Sequence, residues 1–498
     1  MRTCRTIVAA VVVLTAHFAQ TLPAQAPDGT ETGAARDLVA AMLGDTPLLR
    51  DLAELTDEIG GRATGSAANL RAVEWGLARF REAGVEARKE AFTMPALWLE
   101  RSASATVKGD GVEFSPRVAA MPFASATPAA GLTRPLRDAG HGTAEDFDRL
   151  GGRARDAFLL VDTPELTDIE GLFEEYTAGV GIEDRAFAVG AAGVVYVGSR
   201  PGNALYRHNC FRCESDPHPM LVMARDPGRR ALRLLRSGME LELTAKLDLE
   251  TGPAYESWNV IGEIRGTEKP DEVVIAGAHL DSWDLGTGAL DNGANVAMMI
   301  DIARQMQRLG IRPARTVRFA LWNGEEEGLY GSLGYTRTHA AELDDHVMAL
   351  SVDIGCGRIT GFFTNGRAEL LPAVERALEP VAGLGPFVNI NAPIVGTDNY
   401  DFMMQGVGNL VANQEPATYG PNYHASSDQF HECDGEQLRL NSAIVAALVY
   451  GFAHGDVDWN RQTRSEIEKL IASTDLGDQM RTFGMWDDWV AGERGRSR

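Results

Sequence analysis

The spacing of apolar residues changes character three times along the chain. In the first part, apolar residues recur every three or four positions, as they do along one face of an amphipathic helix. This pattern predicts helices over residues 34–43, 48–59 and 67–83, with Gly84 ending the last one. Two extended segments are expected after them, over residues 86–92 and 103–107.

The middle and the end of the chain follow other patterns. Over residues 119–250, short β-like runs alternate with turns rich in Gly, Pro and Asp, which predicts a separate β-rich insert. Over residues 251–455, strands alternate with helices, which favours a mainly parallel sheet covered on both faces. Residues 27–118 would then be the N-terminal part of the same catalytic domain. Residues 456–498 form a tail without strand pattern, in which 465–472 predict a surface helix.

The first residues are typical of a secretory signal peptide. Arg2 and Arg5 precede an apolar run over 7–16, and Ala24-Gln25-Ala26 offers a small-x-small cleavage site. The apolar run is too short to span a bilayer stably, although an uncleaved N-terminal anchor is the alternative interpretation. We therefore expect residues 1–26 to be removed, and the protein to be secreted or periplasmic without further membrane association.

Length and charge narrow the class of protein further. A chain of 498 residues is long enough for two to four domains. The 70 Asp and Glu residues outnumber the 47 Lys and Arg residues, which gives a net charge of −23. Such a surface repels nucleic acid and anionic membranes, so neither is an expected partner.

The cysteines indicate few disulfides or none. Cys210 and Cys213 have the spacing of half a zinc site, but no second pair follows at a suitable distance. A short-loop disulfide or two free thiols is the expected state of this pair. Whether Cys356 and Cys433 form a disulfide depends on geometry that the sequence does not contain.

His279 is the first candidate metal ligand. It follows directly on the buried-strand run 273–278, and ligands gather at the carboxyl ends of strands in open α/β sheets. The carboxylate of Asp281 is placed to accept the other imidazole N–H and so to fix the tautomer of the ring. A His-x-Asp tripeptide is usually incidental, so it predicts a site only together with other residues.

Acidic residues follow in two further loops. Asp291 opens a helix, where it fits an N-cap as well as a carboxylate that bridges two metals. The run Glu325-Glu326-Glu327 follows the strand over 316–322, and three adjacent carboxylates repel one another unless cations are close. An isolated acidic turn would be solvated. At a metal site, however, one acid can bind the ion while its neighbour takes a proton from a metal-bound water.

Two more strands bring similar residues to the same edge. The strand over 348–352 ends in Asp353, and the strand over 410–412 leads to a loop that carries His424. Imidazole nitrogens and carboxylate oxygens are ligands that zinc accepts, with an open position where water can be activated. Each residue alone is a weak signal, but four successive strands together predict a metal centre.

Three motifs carry a resemblance to a known family. They are Gly277-Ala278-His279-Leu280-Asp281-Ser282-Trp283-Asp284, Asp291-Asn292-Gly293 and Glu325-Glu326-Glu327-Gly328. Together they resemble the M28 metallopeptidases and, within that family, the carboxypeptidase Q group. The similarity covers roughly residues 52–92 and 255–454, and the insert resembles a protease-associated domain. The resemblance implies an α/β fold with a phosphorylase/hydrolase-like mixed sheet flanked by helices, and two Zn²⁺ per chain.

The resemblance also implies a role for each residue. One zinc would bind His279 and Asp353, the other Glu326 and His424, and Asp291 would bridge the two. Glu325 would be the general base, and Asp281 the partner of His279. The Asp291–Asn292 peptide is expected to be cis. Contacts with the substrate are expected from four further residues, namely Trp283, Asp284, Asp398 and Tyr423.

These expectations define a function and its rivals. The expected enzyme is a secreted di-zinc exopeptidase that hydrolyses dipeptides or short peptides through a metal-bridging hydroxide, with Glu325 as base. The rival enzymes are a broad aminopeptidase and a single-zinc acyl transferase on the same fold. A rival of another class is a catalytically inactive binding or receptor protein, which the complete set of ligand types disfavours. The sequence leaves the oligomeric state open, a homodimer included.

Overall fold

The computed structural model describes residues 31–207 and 216–497, which form two β-sheets with flanking helices. The expected signal peptide, Cys210 and Cys213 lie outside the described residues. The strands are β1 (Glu86–Met94), β2 (Leu97–Gly109), β3 (Val112–Phe114), β4 (Val118–Ala120), β5 (Leu132–Asp138), β6 (Phe158–Val161), β7 (Gly193–Val197), β8 (Met220–Met223), β9 (Leu241–Gly252), β10 (Tyr255–Ile264), β11 (Lys269–His279), β12 (Arg315–Trp322), β13 (His346–Ser351), β14 (Ile359–Phe363) and β15 (Asn409–Gln414).

The helices flank both sheets. They are α1 (Glu31–Met42), α2 (Leu48–Ala53), α3 (Ala67–Glu82), α4 (Ala144–Leu150), α5 (Ile169–Ala188), α6 (Arg225–Arg236), α7 (Ala294–Arg308), α8 (Tyr330–Thr338), α9 (Leu371–Leu378), α10 (Asn399–Met404), α11 (Tyr419–Asn422), α12 (Gly435–His454), α13 (Arg464–Ser473), α14 (Leu476–Thr482) and α15 (Trp486–Ala491). None of the described helices is both long enough and apolar enough to cross a membrane.

The first sheet is mixed, and its strand order is β1-β10-β12-β11-β13-β15-β14. The four strands β12, β11, β13 and β15 are parallel, so their carboxyl ends meet at one edge. The strands β1, β10 and β14 join this parallel core in antiparallel pairs. The expected mixed sheet flanked by helices is confirmed.

Burial on both faces explains why this sheet forms. The residues of β11 from Val273 to His279 are all buried, as expected for a central strand whose apolar run is almost continuous. Alternate residues pack on opposite sides. Val274 and Ala276 face the larger core beneath α7 and α12, whereas Ile275 packs with aromatic residues of α8 and α10.

The second sheet has the order β3-β2-β9-β5-β6-β7-β8-β4. This sheet starts at Leu97, so the segment 97–118 pairs with the insert. The expected boundary at residue 119 would instead place this segment with the first sheet. The reason is the long antiparallel ladder in which Leu97 pairs with Gly252 and Gly109 with Leu241. The composition of the chain changes only at the Gly- and Pro-rich loops, about twenty residues after this ladder has begun.

The C-terminal segment, residues 456–498, packs against the helices that flank the first sheet. It does not form the expected tail with one surface helix. Its helices α13, α14 and α15 bury an apolar face that the pattern of residues 465–472 does not reveal. Five of its residues join a core with α10, namely Ile467, Leu476, Met480, Met485 and Trp489. The turns between these short helices interrupt the periodicity, which is why the sequence predicts only one of them.

Cys356 and Cys433 form a disulfide, with Cα atoms 5.5 Å apart and a sequence separation of 77. The bond joins the loop after β13 to the segment before α12. It therefore ties together two of the segments that follow strands at the carboxyl edge of the first sheet.

Candidate metal centre

The carboxyl edge of the first sheet brings the candidate ligands together. His279 is the last residue of β11, and Glu325 and Glu326 lie in the turn that follows β12. Asp353 follows β13, and His424 follows β15 and the short helix α11. Parallel strands end at a common edge, so residues far apart in sequence become neighbours there.

The side chains form two groups that share one carboxylate. In the first group, His279 Nε2 lies 3.0 Å from Asp353 Oδ1 and 3.1 Å from Asp291 Oδ1. In the second group, His424 Nε2 lies 2.9 Å from Glu326 Oε2 and 3.6 Å from Asp291 Oδ2. Asp291 therefore presents one oxygen to each histidine, which is the arrangement expected of a ligand that bridges two metals.

Asp291 lies in the kinked turn Ala289–Gly293 that precedes α7, and its own backbone is non-helical (φ −123°, ψ 85°). The carboxylate of Asp428 accepts hydrogen bonds from the backbone N–H groups of Ala289 (3.0 Å), Leu290 (2.7 Å) and Asp291 (3.1 Å). The Asp291–Asn292 peptide is cis, as the resemblance implied. Asp428 thus fixes the backbone that carries the shared carboxylate.

The second nitrogen of His279 has a different partner from the expected one. Nδ1 lies 3.0 Å from the backbone carbonyl of Asp281, and 3.8 Å from its carboxylate. That carboxylate instead accepts hydrogen bonds from Thr64 Oγ1 (3.1 Å) and Glu326 N (3.3 Å). The backbone carbonyl fixes the same tautomer, with Nε2 facing the candidate metal site.

His424 is held in an uncommon backbone conformation, with φ at +57°. Its ring stacks on Tyr423 at a centroid distance of 3.7 Å and meets the edge of Trp283 at 6.1 Å. Burial lowers the pKa of His424 to about 3, so the ring is neutral at neutral pH. A neutral imidazole is the form that binds a metal ion.

Several carboxyl groups are buried close together at this edge, which disfavours their ionised forms. Burial raises the pKa of Glu325 well above its usual value, and the carboxylates of Asp353 and Asp398 raise it further. The pKa of Glu326 is also raised well above its usual value, first by burial and then by Asp291. Divalent cations would reverse this effect, since they favour the ionised form of nearby carboxylates.

The donor set therefore fits two metal ions. Asp291 Oδ2 is buried and accepts no hydrogen bond from any residue in the described ranges. Each group offers one imidazole nitrogen and two carboxylate oxygens, with all ligand atoms of a group within 4.8 Å of one another. Nitrogen and carboxylate donors in this proportion suit zinc, and three protein ligands per group would leave room for a water or substrate ligand on a bound ion.

A cavity of about 480 Å³ opens onto this site. Its floor contains Glu325, Glu326 and His424, and the expected substrate residues Trp283 and Tyr423 also line it. The other two expected substrate residues do not. Asp284 is engaged by Arg207 at 2.8 and 2.9 Å, and Asp398 is buried at the start of α10, outside the cavity lining.

Sequence reasoning missed several residues that shape the site. The cavity walls include Tyr176 and Val180 of α5 and a run over 481–485 from the C-terminal segment. Arg62 is fully buried and donates hydrogen bonds to the carbonyls of Leu280 and Gly288, on both sides of the motif around Trp283. These residues belong to no local motif, so only the three-dimensional packing identifies them.

Comparisons with known proteins agree with this geometry. Residues 259–449 match the model of peptidase family M28. The chain carries an M28 peptidase domain. The M28 domain spans β10 to α12 and includes every candidate ligand named above.

The relatives differ in how much of the chain they match. Carboxypeptidase Q from Rattus norvegicus is 28% identical over 218 residues, which is 44% of this chain and 46% of the rat protein. The alignment thus spans about half the length of that relative. A probable lipoprotein aminopeptidase from Mycobacterium tuberculosis is 26% identical over 450 residues, which is 82% of this chain and 84% of that protein.

A crystal structure extends the similarity beyond the M28 domain. The M28 peptidase precursor from Shewanella amazonensis superimposes with a TM-score of 0.78 and 26% sequence identity. The match covers 87% of this chain and 99% of the other, so the second sheet and the M28 domain occur together in both proteins.

Proposed function

We propose that this protein is an exported di-zinc exopeptidase that hydrolyses dipeptides or short peptides, in the manner of carboxypeptidase Q. The observation that carries the proposal is the position of Asp291. Its two oxygens lie 3.1 and 3.6 Å from Nε2 of His279 and His424, so one carboxylate serves two metal sites. When bound, two zinc ions would supply an activated water and polarise the scissile carbonyl.

Each protein side chain has a distinct task in this proposal. His279 and Asp353 would hold one ion, Glu326 and His424 the other. Glu325 is buried beside them and lines the cavity, where it would take a proton from the attacking water and return it to the leaving amine. Asp281, through its backbone carbonyl, would orient His279.

The shape of the cavity favours a short substrate. A volume of about 480 Å³ is typical of small-molecule sites, and α5 and the C-terminal segment form walls on two sides of it. A protein substrate that is cleaved at an internal peptide bond would have to leave the cavity in both directions. Because the walls oppose this, we expect a peptide with at least one free end.

A broad-specificity aminopeptidase is the second candidate. It is favoured by the relative from Mycobacterium tuberculosis, because that similarity extends over 82% of the chain and includes the second sheet. The metal centre would be the same in both cases. The two candidates differ only in whether the free amino group or the free carboxylate of the peptide is recognised.

Two features support export. Residues 1–26 have the layout of a signal peptide, and Cys356 and Cys433 form a disulfide, which persists in oxidising compartments. Detection of the mature protein outside the cytoplasm, with an N-terminus near residue 27, is the expected result. A cytoplasmic protein with an intact N-terminus would contradict this part of the proposal.

The test of activity is a panel of matched peptides. The purified protein is stripped with a chelator, reloaded with Zn²⁺, and assayed on one dipeptide, its N-acetylated form and its C-amidated form. Loss of activity on amidation alone indicates a carboxypeptidase or dipeptidase, and loss on acetylation alone indicates an aminopeptidase. Absence of hydrolysis by the zinc-loaded protein on the whole panel would contradict both candidates.

A further inference from the structure

The insert contacts the metal centre through Arg207, a fully buried arginine. Its guanidinium donates two hydrogen bonds to the carboxylate of Asp284, at 2.8 and 2.9 Å. A third goes to Glu100 Oε2 at 2.6 Å, and a fourth to the carbonyl of Ala120 at 3.0 Å. Asp284 belongs to the M28 domain, whereas Glu100 and Ala120 belong to strands of the second sheet.

The backbone around Arg207 holds the loop of His424. The N–H of Arg207 donates to the carbonyl of His424 at 3.0 Å, and Ser426 N donates to the carbonyl of Leu205 at 2.7 Å. Tyr206 and Ala425 form an isolated antiparallel β-bridge between these two bonds. The insert thus pairs with the M28 domain at the residue that carries a candidate metal ligand.

This pairing explains how His424 keeps its positive φ of +57°. A residue other than glycine carries a conformational cost in this region and persists there only where its surroundings hold it. Arg200 adds another restraint, since its Nε donates to the carbonyl of Tyr423 at 3.0 Å. Restraints from the insert therefore act on both peptide groups that flank the histidine.

Arg207 is also linked, through Asp284, to the segment that contacts Glu326, the other candidate ligand of the same metal site. The backbone N–H of Trp283, next to Asp284, donates to Glu326 Oε1 at 3.3 Å. The Arg207–Asp284 pair therefore supports the segment that orients Glu326, while the backbone of Arg207 supports His424. Within the described residues, the polar contacts of His279 and Asp353, which form the first group with Asp291, are made inside the M28 domain and not with the insert.

We infer that Arg207 is a positioning residue for one of the two metal sites, the site of Glu326 and His424, and that the insert therefore controls the affinity of that site. This inference rests on the di-metal centre proposed above. Residues that orient metal ligands typically change metal affinity by 10- to 100-fold when they are replaced. The site of His279 and Asp353 should be affected far less.

The test is metal binding itself, measured without substrate. Wild type and Arg207→Met are stripped of metal and titrated with Zn²⁺ in chelator-buffered solutions, and the bound ions per chain are counted. We expect two ions in the wild type. In R207M we expect one ion with an affinity within about threefold of the wild type, and a second ion bound at least about 10-fold more weakly.

Arg315→Met is the matched control. Arg315 is also buried and paired with a glutamate, Glu272, but it lies at the amino end of β12. That end is about 20 Å from the metal edge, since a strand rises ~3.3 Å per residue. R315M should lower stability and leave both metal affinities unchanged, so it separates a local effect on the metal site from a general loss of stability.

A second variant covers the case in which R207M does not fold. Asp284→Asn retains Arg207 and its pair with Glu100, and weakens only the contact with the motif around Trp283. We expect the same selective loss of affinity, but smaller. The inference would be overturned if folded R207M bound two ions with wild-type affinity. If R207M does not fold, the same result in folded D284N would overturn it. Either result would leave the proposed di-metal centre unaffected. A single ion in the wild type would instead contradict the di-metal centre.

Discussion

The floor and the walls of the cavity come from very different parts of the chain. The floor is built at one sheet edge by loops that follow neighbouring strands, and it contains the candidate ligands and Glu325. The walls come from α5 in the insert and from the C-terminal segment, which are separated by about 300 residues. The floor contains the groups that can perform chemistry, whereas the walls limit which molecules reach it.

The two walls meet above the floor. The rings of Tyr176 and Phe483 lie 5.3 Å apart, and the hydroxyl of Tyr176 lies 2.7 Å from that of Tyr423. The insert and the C-terminal segment therefore both border the cavity. Variants of the floor should change the rate of the chemical step, and variants of the walls should change substrate binding.

The largest expected effect is that of Glu325→Gln in the floor. The amide has nearly the same shape but cannot accept a proton, so kcat should fall by about 10³-fold or more, with two metal ions still bound. The measurement is dipeptide hydrolysis together with metal analysis. Glu342→Gln, a half-exposed glutamate beyond α8, is the control and should retain full activity. Substantial activity in folded E325Q would contradict the role of Glu325.

The sequence predicts the floor well for a physical reason. A parallel strand delivers the residue that follows it to a known edge, so His279 and Asp353 can be placed once the strands are recognised. The pairing of each ligand with its partner required the family resemblance. The sequence predicts that the carboxylate of Asp281 is the partner of His279 Nδ1, whereas in the structure the partner is the backbone carbonyl of Asp281. The two oxygens differ by 0.8 Å in their distance from Nδ1, and this difference depends on side-chain torsion angles, which the sequence does not contain.

The walls could not be predicted in the same way. Tyr176 is a single aromatic residue on α5, and Phe483 lies in the turn after α14, so the spacing of apolar residues indicates at most that they face a core. Their position over the cavity depends on how the second sheet and the C-terminal helices dock on the M28 domain. That docking is governed by buried contacts between distant residues, such as the Arg494–Asp401 ion pair.

The next expected effect is a dependence of metal affinity on pH, again a property of the floor. Burial raises the pKa of Asp353 to about 6 in the metal-free protein, above the usual 3.8. A ligand must lose its proton before it binds the metal, so Zn²⁺ affinity should rise by up to about 10-fold per pH unit between pH 5 and 6. Chelator-buffered titrations at each pH measure this. A flat profile would contradict the assignment of Asp353.

The same pKa fixes the sign of the effect on stability. A raised pKa in the folded state means that the contribution of Asp353 is fully present below pH 3.8 and is lost as the pH rises through 6. The metal-free protein should therefore become less stable over this range. Bound zinc should offset the loss, so the difference in Tm between the two forms should widen with pH.

A smaller effect is expected from Phe483→Ala in the wall. The change removes an aromatic surface that lines the cavity and contacts Tyr176. We expect KM for a dipeptide to rise by about 10-fold, which corresponds to about 1.4 kcal/mol of binding, while kcat stays within about threefold. Phe114→Ala, in the second sheet and beside Arg230, is the control. A decrease in kcat with an unchanged KM would contradict the division between floor and walls.

The smallest expected effect is that of Tyr176→Phe, which removes one hydroxyl where wall and floor meet. Its hydrogen bond with Tyr423 is worth about 1 kcal/mol, so kcat/KM should fall by about fivefold. Tyr423→Phe removes the same bond together with any contact that Tyr423 makes with substrate. Because both changes remove one shared bond, the double variant should lose less than the product of the two single losses. Fully independent losses would mean that Tyr176 acts on the substrate directly, and the wall would then reach the reacting groups without the floor.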